Sequence, residues 1–280
     1  YVDVYLNNRF LGNYLMTQAV GEGKEKVDID ITKNEFLFEY EPFVGYSNPN
    51  CIATPILGIL LGFNEPEQPT AEQFEWLNLF LAEAESALVS YDFERIAEYF
   101  DIDSFVDFYI VNELFKDVDF STSSTRFYLK KGRLYAGPLW DMDLSSGNVS
   151  EEAGYYGEYW NSNTSGDSTE SFYCRKIWYR ELFGCQKFGE LVRKRYAKLQ
   201  PQIVNLTTDN ELGLNRIDRL IAKYGKSFAA NYEKAGWSVS YVYGEFESRY
   251  PAKTYEGNVE YLREWLIRRN AWLLHELGIS

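Results

Sequence analysis

The stretch GPLWDMDLSSGN, Gly137 to Asn148, sets two carboxylates, Asp141 and Asp143, one residue apart behind Trp140. In an extended segment alternate residues share a face, so both acids would point the same way. Like charges so placed repel unless a cation stands between them. Mg²⁺ suits such a pair when phosphate is present, because it takes one or two carboxylates and keeps its other positions for phosphate and water. Two other readings stay open. Asp141, Asp143 and Ser145 fall at positions 1, 3 and 5 of an EF-hand-like calcium loop, with Glu152 at 12, but the glycine is at position 7 (Gly147) instead of 6. The acids could also simply open a solvated loop, since D-x-D is a common pattern.

A third acid precedes them. Asp119 lies in NELFKDVDFSTSSTRFYL, with Ser124 five residues later. Protein kinases place an Asp base and an Asn metal ligand at that spacing, then a hairpin, then a metal-binding Asp. Here the order is Asp119, Ser124, hairpin, Asp141. Ser is a weaker metal ligand than Asn but offers an oxygen. Phosphoryl transfer asks a protein for positioning and charge neutralisation more than covalent chemistry. Three acids and a hydroxyl in this order can supply that.

The elements that must hold these residues can be read from periodicity and punctuation. YVDVYLNNRFLGNYLMTQAV reads as two strands turning at Asn7-Asn8, and VDIDI and EFLFEY continue the β pattern. Residues 41–69 read as loop plus a short apolar element. Thr70 and Gln73 form a capping box ahead of a helix with Phe74, Leu77, Leu81, Ala84 and Leu88 on one face. A second helix is expected from about Asp103 to Phe115. RFYLKKGRLYAGPLW is a hairpin turning at Lys131-Gly132. Residues 147–170 have no period and read as a long loop. Helices return at about 175–200, 211–224 and 256–277, the last ended by Gly278. The expected fold is α+β in one domain: a small β-rich N-terminal part (1–50) and a larger, mainly helical part (51–280) carrying the acid-bearing hairpin.

Composition limits the function classes. The 280 residues carry a formal charge of −14, which argues against nucleic acid, whose phosphates need a basic face. A basic partner suits it better. Aromatics are 18% with 23 Tyr, which fits either an aromatic core or a surface for peptides or sugars. Cys51, Cys174 and Cys185 have no metal-clip spacing, though the last two could pair. The single histidine, His275, leaves no room for His-based triads. The longest apolar run, IATPILGILLGF, is too short to span a bilayer. No signal peptide is visible, and the chain starts at Tyr1 inside a strand pattern, so an upstream segment is expected to have been removed or omitted. Asn148, Asn163 and Asn205 open N-x-S/T sequons, which matter only in a eukaryotic secretory route.

Several stretches together resemble the CotH kinase family, atypical kinases named for a bacterial spore-coat protein. YLNNRFLGNYLMTQAV is similar to its G-x-Y-x-L-x-E strand pattern. DIDSFVDFYIVNELFKDVD is similar to its D-x-x-S-F-x-D-Y-x-x-x-N-E-x-x-x-N-x-D segment. GRLYAGPLWDMDLSSGN is similar to G-K-L-x-x-G-P-x-W-D-x-D-x-x-x-G-N, and YLREWLIRRNAWLLHEL to the closing W-L-x-x-R-x-x-W-L helix. The resemblance implies an atypical protein-kinase-like fold that binds ATP with Mg²⁺ and phosphorylates Ser in basic, Ser-rich proteins. By motif it gives Asp119 as the catalytic or metal-proximal acid, Asp141 as a Mg²⁺ ligand with Asp143 supporting or ligating, and Asn112 and Glu113 in a structural or a direct role, with Trp140 as structural support; Ser124 stays the further oxygen that the kinase spacing suggests. It departs from the family pattern in three ways. The upstream R-G-N-S/T and K-K segments are not in this chain, which leaves Lys24 and Lys26 as candidate nucleotide contacts, against a reading as exposed turn residues. Gln18 stands for the strand-motif Glu, and Asp117 for an Asn. Relatives in large secreted assemblies, cellulosomal ones included, imply the alternative of a non-catalytic extracellular binding module. Both readings imply an extracellular, cell-surface or spore-associated bacterial protein.

Overall fold

The computed structural model describes residues 1–42, 50–121, 124–148, 169–172, 174–233, 242–243, 246–247 and 254–279. Asn7 and Asn8 both adopt positive φ (48° and 61°), as a two-residue hairpin turn requires, and join β1 (Val2–Leu6) to β2 (Arg9–Tyr14). This hairpin stands apart from the main sheet. That sheet has five antiparallel strands in the order β4-β5-β3-β6-β7. They are β3 (Phe36–Tyr40), β4 (Cys51–Ala53), β5 (Leu60–Glu65), β6 (Arg126–Lys130) and β7 (Arg133–Ala136). Lys131 and Gly132, at φ 50° and 72°, turn β6 into β7 where the sequence expected it.

The sheet spans the division drawn at residue 50. β3 lies before it, and the strands on either side of β3 lie after it. Two expectations need correction. VDIDI forms no strand: the Asp30 carboxylate accepts hydrogen bonds from the Thr32 amide and hydroxyl, and that local alternative closes a 3₁₀ turn over Ile31–Lys33. The apolar element of residues 41–69 is a strand pair, β4 with β5. Its connecting turn is held by Glu85, which accepts from the amides of Ile56 and Leu57 and from the Trp178 indole, each at 2.9 Å. A fully buried carboxylate is tolerated there because three donors replace its water.

The helices follow their caps. Thr70 and Gln73 make both bonds of the capping box ahead of α1 (Ala71–Val89). Asp92 caps α2 (Phe93–Tyr99) and Asp101 caps α3 (Ile102–Phe115). The chain continues with α4 (Tyr179–Leu182), α5 (Gln186–Lys198), α6 (Gln200–Val204), α7 (Arg216–Glu233) and α8 (Tyr255–Glu276). Gly278, at φ 62°, ends the last of these as expected. The expected helix at 211–224 starts later and runs longer, because residues 205–215 are tied into a turn by Asn205, Asp209 and Asn215. Cys174 and Cys185 are both buried and unpaired.

Much of the aromatic excess sits in the core. Phe36, Phe38, Phe105, Phe127, Trp178 and Tyr179 are fully buried; Phe36 stacks on Phe38 along β3, and the other four are in ring contact between sheet and helices. Among the described residues, β1, β2 and α7 add nothing to this core. They pack on each other through Tyr1 against Tyr224 and Phe228, and through Asn13 with Asn231.

α3 is buried on nearly all sides, with α5, α8 and β7 against it. Its C-terminal end carries Glu113, whose Oε1 accepts from Arg269 of α8 at 2.6 Å, with the two residues 2% and 0% exposed. The other oxygen accepts from the Cys174 amide. The remaining Arg269 donors reach the carbonyls of Glu113, Thr169 and Ser171. Removing one partner of such a pair strands a buried charge. Arg269→Met is therefore expected to lower the unfolding free energy by about 3–5 kcal/mol, read as a drop in the urea midpoint.

Candidate active site

The C-terminal end of α3 is the platform for the acids. Lys116 takes φ 48°, and the Asp117 amide donates back to the Asn112 carbonyl, closing the helix. The Asn112 side chain donates to Phe108 within the helix. A 3₁₀ turn, Val118–Ser121, follows at once and carries Asp119. Phe120 anchors that turn in the core against Phe108 and Tyr179.

Two backbone bonds lock the second acid loop to the same platform. The Val118 amide donates to Leu144 at 3.0 Å, and the Ser146 amide donates to Phe115 at 2.6 Å. The extended geometry expected for WDMD is not observed. Asp141 adopts φ 56°, and residues 142–143 form a turn. The two carboxyls come near each other all the same, close enough for the Asp141 charge to raise Asp143.

The result is a cluster of four acids with graded burial. Asp141 and Asp143 are exposed, Asp119 is half-buried and Asp117 is buried. Burial, then the charges of Asp143 and Asp141, push Asp119 up to about 6. Burial comes first again for Asp117, and the charges of Asp119, Asp143 and Asp141 add to it, pushing it up to about 7. A bond from the Asp119 amide, at 3.1 Å, opposes part of that rise. Asp143, though open to solvent on one side, is raised by partial desolvation and then by Asp141. Asp117 thus keeps its proton to a higher pH than an exposed aspartate does.

Among the described residues, no group of three or more His, Cys, Asp or Glu is arranged to close on a metal ion. A pair of neighbouring carboxylates is what Mg²⁺ uses, since it keeps most of its shell for water and phosphate. Asp141 with Asp143 fits that need. The calcium loop fits poorly. Ser145 is buried and donates to the Met142 carbonyl, Gly147 packs against Tyr261 and Trp265 of α8, and Glu152 lies outside the described residues.

The other expected site residues separate into two places. Ser124, at φ 58°, donates its amide to Glu39 Oε1 at 3.1 Å. The other Glu39 oxygen accepts from Arg126 at 2.8 Å, and the Arg126 guanidinium lies 5.2 Å from the centre of the Trp140 ring. Ser124 and Trp140 therefore stand at the acid end of β6. Lys24 and Lys26 do not. They are exposed in the turn beside Asp28, which pairs with Lys130 at the opposite end of that strand. Asn112 and Glu113 act in the platform beneath the acids. Of the sequons, Asn205 is buried, and Asn163 lies outside the described residues, as does most of the 147–170 loop.

The family description "CotH kinase protein" matches residues 1–273. The chain belongs to the CotH kinase family. Its α+β architecture is of the kinase-like class that this family implies. No curated protein and no solved structure matches the chain. Among the described residues no helix is long and apolar enough to cross a membrane.

Sequence reasoning passed over Asp117 as a member of the acid cluster and missed the pairing of Glu39 with Arg126 and of Glu113 with Arg269. Two signals were available. Glu39 is a charged position inside the apolar strand FLFEY, and Arg126 opens the strand just after Ser124.

The raised carboxyls have a consequence for stability. Between about pH 4 and 7 the folded chain binds more protons at Asp117 and Asp119 than the unfolded chain does. Their contribution is fully present below the unfolded pKa and is lost as pH rises through the folded values. Asp117→Asn is expected to raise the melting temperature at pH 8 and leave it nearly unchanged at pH 4. Mg²⁺ should raise the wild-type melting temperature at pH 8 and have little effect at pH 5. Thermal melts across that range, with and without Mg²⁺, check both.

Proposed function

We propose that this chain transfers a phosphoryl group from ATP to a Ser or Thr hydroxyl of a protein. The observation that carries the reading is the convergence of Asp119 with Asp141 and Asp143 at the end of α3. Asp119 accepts the hydroxyl proton. Its carboxyl, pushed up to about 6, stays mostly ionised at neutral pH yet is basic enough to take that proton. Asp141 and Asp143 would hold Mg²⁺, with Ser124 as a further oxygen. The metal, when bound, neutralises charge on the phosphates. The platform keeps the acids at fixed separation, which is the positioning such a reaction needs.

An acidic chain of net charge −14 favours a basic, Ser-rich protein or peptide as substrate. An extracellular, cell-surface or spore-associated setting agrees with the family. The rival reading is a non-catalytic binding module of an extracellular assembly such as a cellulosome. The position of Lys24 and Lys26, away from the acids, favours it.

Calorimetry and phosphotransfer separate the two readings. Asp119→Asn should bind ATP with Mg²⁺ like the wild type and transfer phosphate to a basic Ser-containing peptide about 10²–10⁴-fold more slowly. Asp141→Ala should lose the Mg²⁺-dependent part of ATP binding. Wild-type chain that binds no ATP would reject the kinase reading.

A further inference from the structure

The acids of the site have a conspicuous counterpart. ATP brings several negative charges to a place already crowded with carboxylates, and a metal held by two acids neutralises only part of them. A cationic side chain is needed near the acid end of β6, and Lys24 and Lys26 lie at the other end.

Arg126 is in the required place. It is the first residue of β6, two positions after Ser124. Its carbonyl accepts from the amide of Gly137, the residue that opens the acid-bearing segment. Its Cα is paired with that of Glu39 across β3. The residue is 9% exposed. Of its three guanidinium nitrogens, Nη2 donates to Glu39, while Nε and Nη1 are buried with no hydrogen-bond partner among the described residues. An arginine with two idle nitrogens in a buried position is costly, and such groups in folded proteins call for an explanation. A purely structural ion pair leaves them unexplained, because Glu39 has already divided its two oxygens between Arg126 and the Ser124 amide. Each idle nitrogen is a charged donor from which a phosphate oxygen can accept. Its cover on one face is the half-buried ring of Trp140, the residue directly before Asp141.

We infer that Arg126 is the phosphate-binding cation of this site, occupied by Glu39 and covered by Trp140 until a nucleotide competes with the carboxylate and displaces the ring. The inference rests on the nucleotide reading above and deepens it. The acids would hold the metal, and Arg126 would take phosphate oxygens that the metal does not.

The test is a titration of ATP, ADP and AMP, each with Mg²⁺, into the whole chain. Wild type is compared with Arg126→Met, Arg126→Lys and Glu39→Gln, and each variant is first checked for folding by thermal melt. Wild type should bind ATP at least tenfold more tightly than AMP. Arg126→Met should lose most of that ATP-over-AMP preference while its AMP affinity changes less than threefold, and Arg126→Lys should fall between the two. Glu39→Gln removes the competing carboxylate and should widen the preference. A folded Arg126→Met chain that keeps the wild-type preference overturns the inference and leaves the kinase reading intact. Should Arg126→Met fail to fold, Glu39→Gln decides: a wider preference supports Arg126 as the phosphate contact, and an unchanged one overturns it. Wild type that binds no nucleotide overturns both readings together.

Discussion

The buried pair of Glu113 and Arg269 is the contact on which the rest of this molecule turns. It joins the end of α3 to α8, which the chain reaches only after some 150 further residues. A carboxylate and a guanidinium removed from water must satisfy nearly every donor and acceptor to be tolerated. Here they do so by recruiting carbonyls from residues 169 and 171 and the amide of Cys174. The pair thereby sets where three separate stretches of chain meet. The end of α3 also orients both acid loops through the Val118–Leu144 and Ser146–Phe115 bonds. Placement of the acids follows from a charge pair that never touches them.

The acid cluster itself works against folding. Asp117, Asp119 and Asp143 are all raised, by loss of water first and then by neighbouring carboxylates, Asp141 among them in each case. A chain selected for stability alone would replace at least one of them. Local conflict of this kind is characteristic of functional sites, where consistency across the rest of the fold sustains a locally unfavourable arrangement. The aromatic core supplies that consistency. Phe120 ties the Asp119 turn to the rings that fill the space between sheet and helices.

Local grammar was largely legible in the sequence. Asn7-Asn8, Lys131-Gly132, the Thr70–Gln73 box and Gly278 each act through the conformation of one or two residues, and each stands where it was read. The strand read into VDIDI failed for the opposite reason: Asp30 found a nearby backbone partner that outcompetes a ladder. The pairing of β4 with β5 was hidden because it depends on Glu85 of a later helix bracing the turn. At the site, the kinase-like order of the acids was visible as spacing. The left-handed backbone at Asp141 and the separation of Lys24 and Lys26 from the acids were not, because both depend on how the sheet is threaded. Arg126 and Arg269 read as ordinary charges until their burial is known.

The N-terminal hairpin offers a different lesson. It leans on α7 through a few rings and polar contacts, and no residue of α7 is buried. Stability in such a molecule is layered, since segments with little buried apolar contact open at lower free energy than the core. The hairpin and α7 form a corner whose amides would exchange with solvent together, well before those of α3. The molecule thus carries its acids on a well-buried block, with a flank tied to that block through Asp218 of α7 and Arg263 of α8.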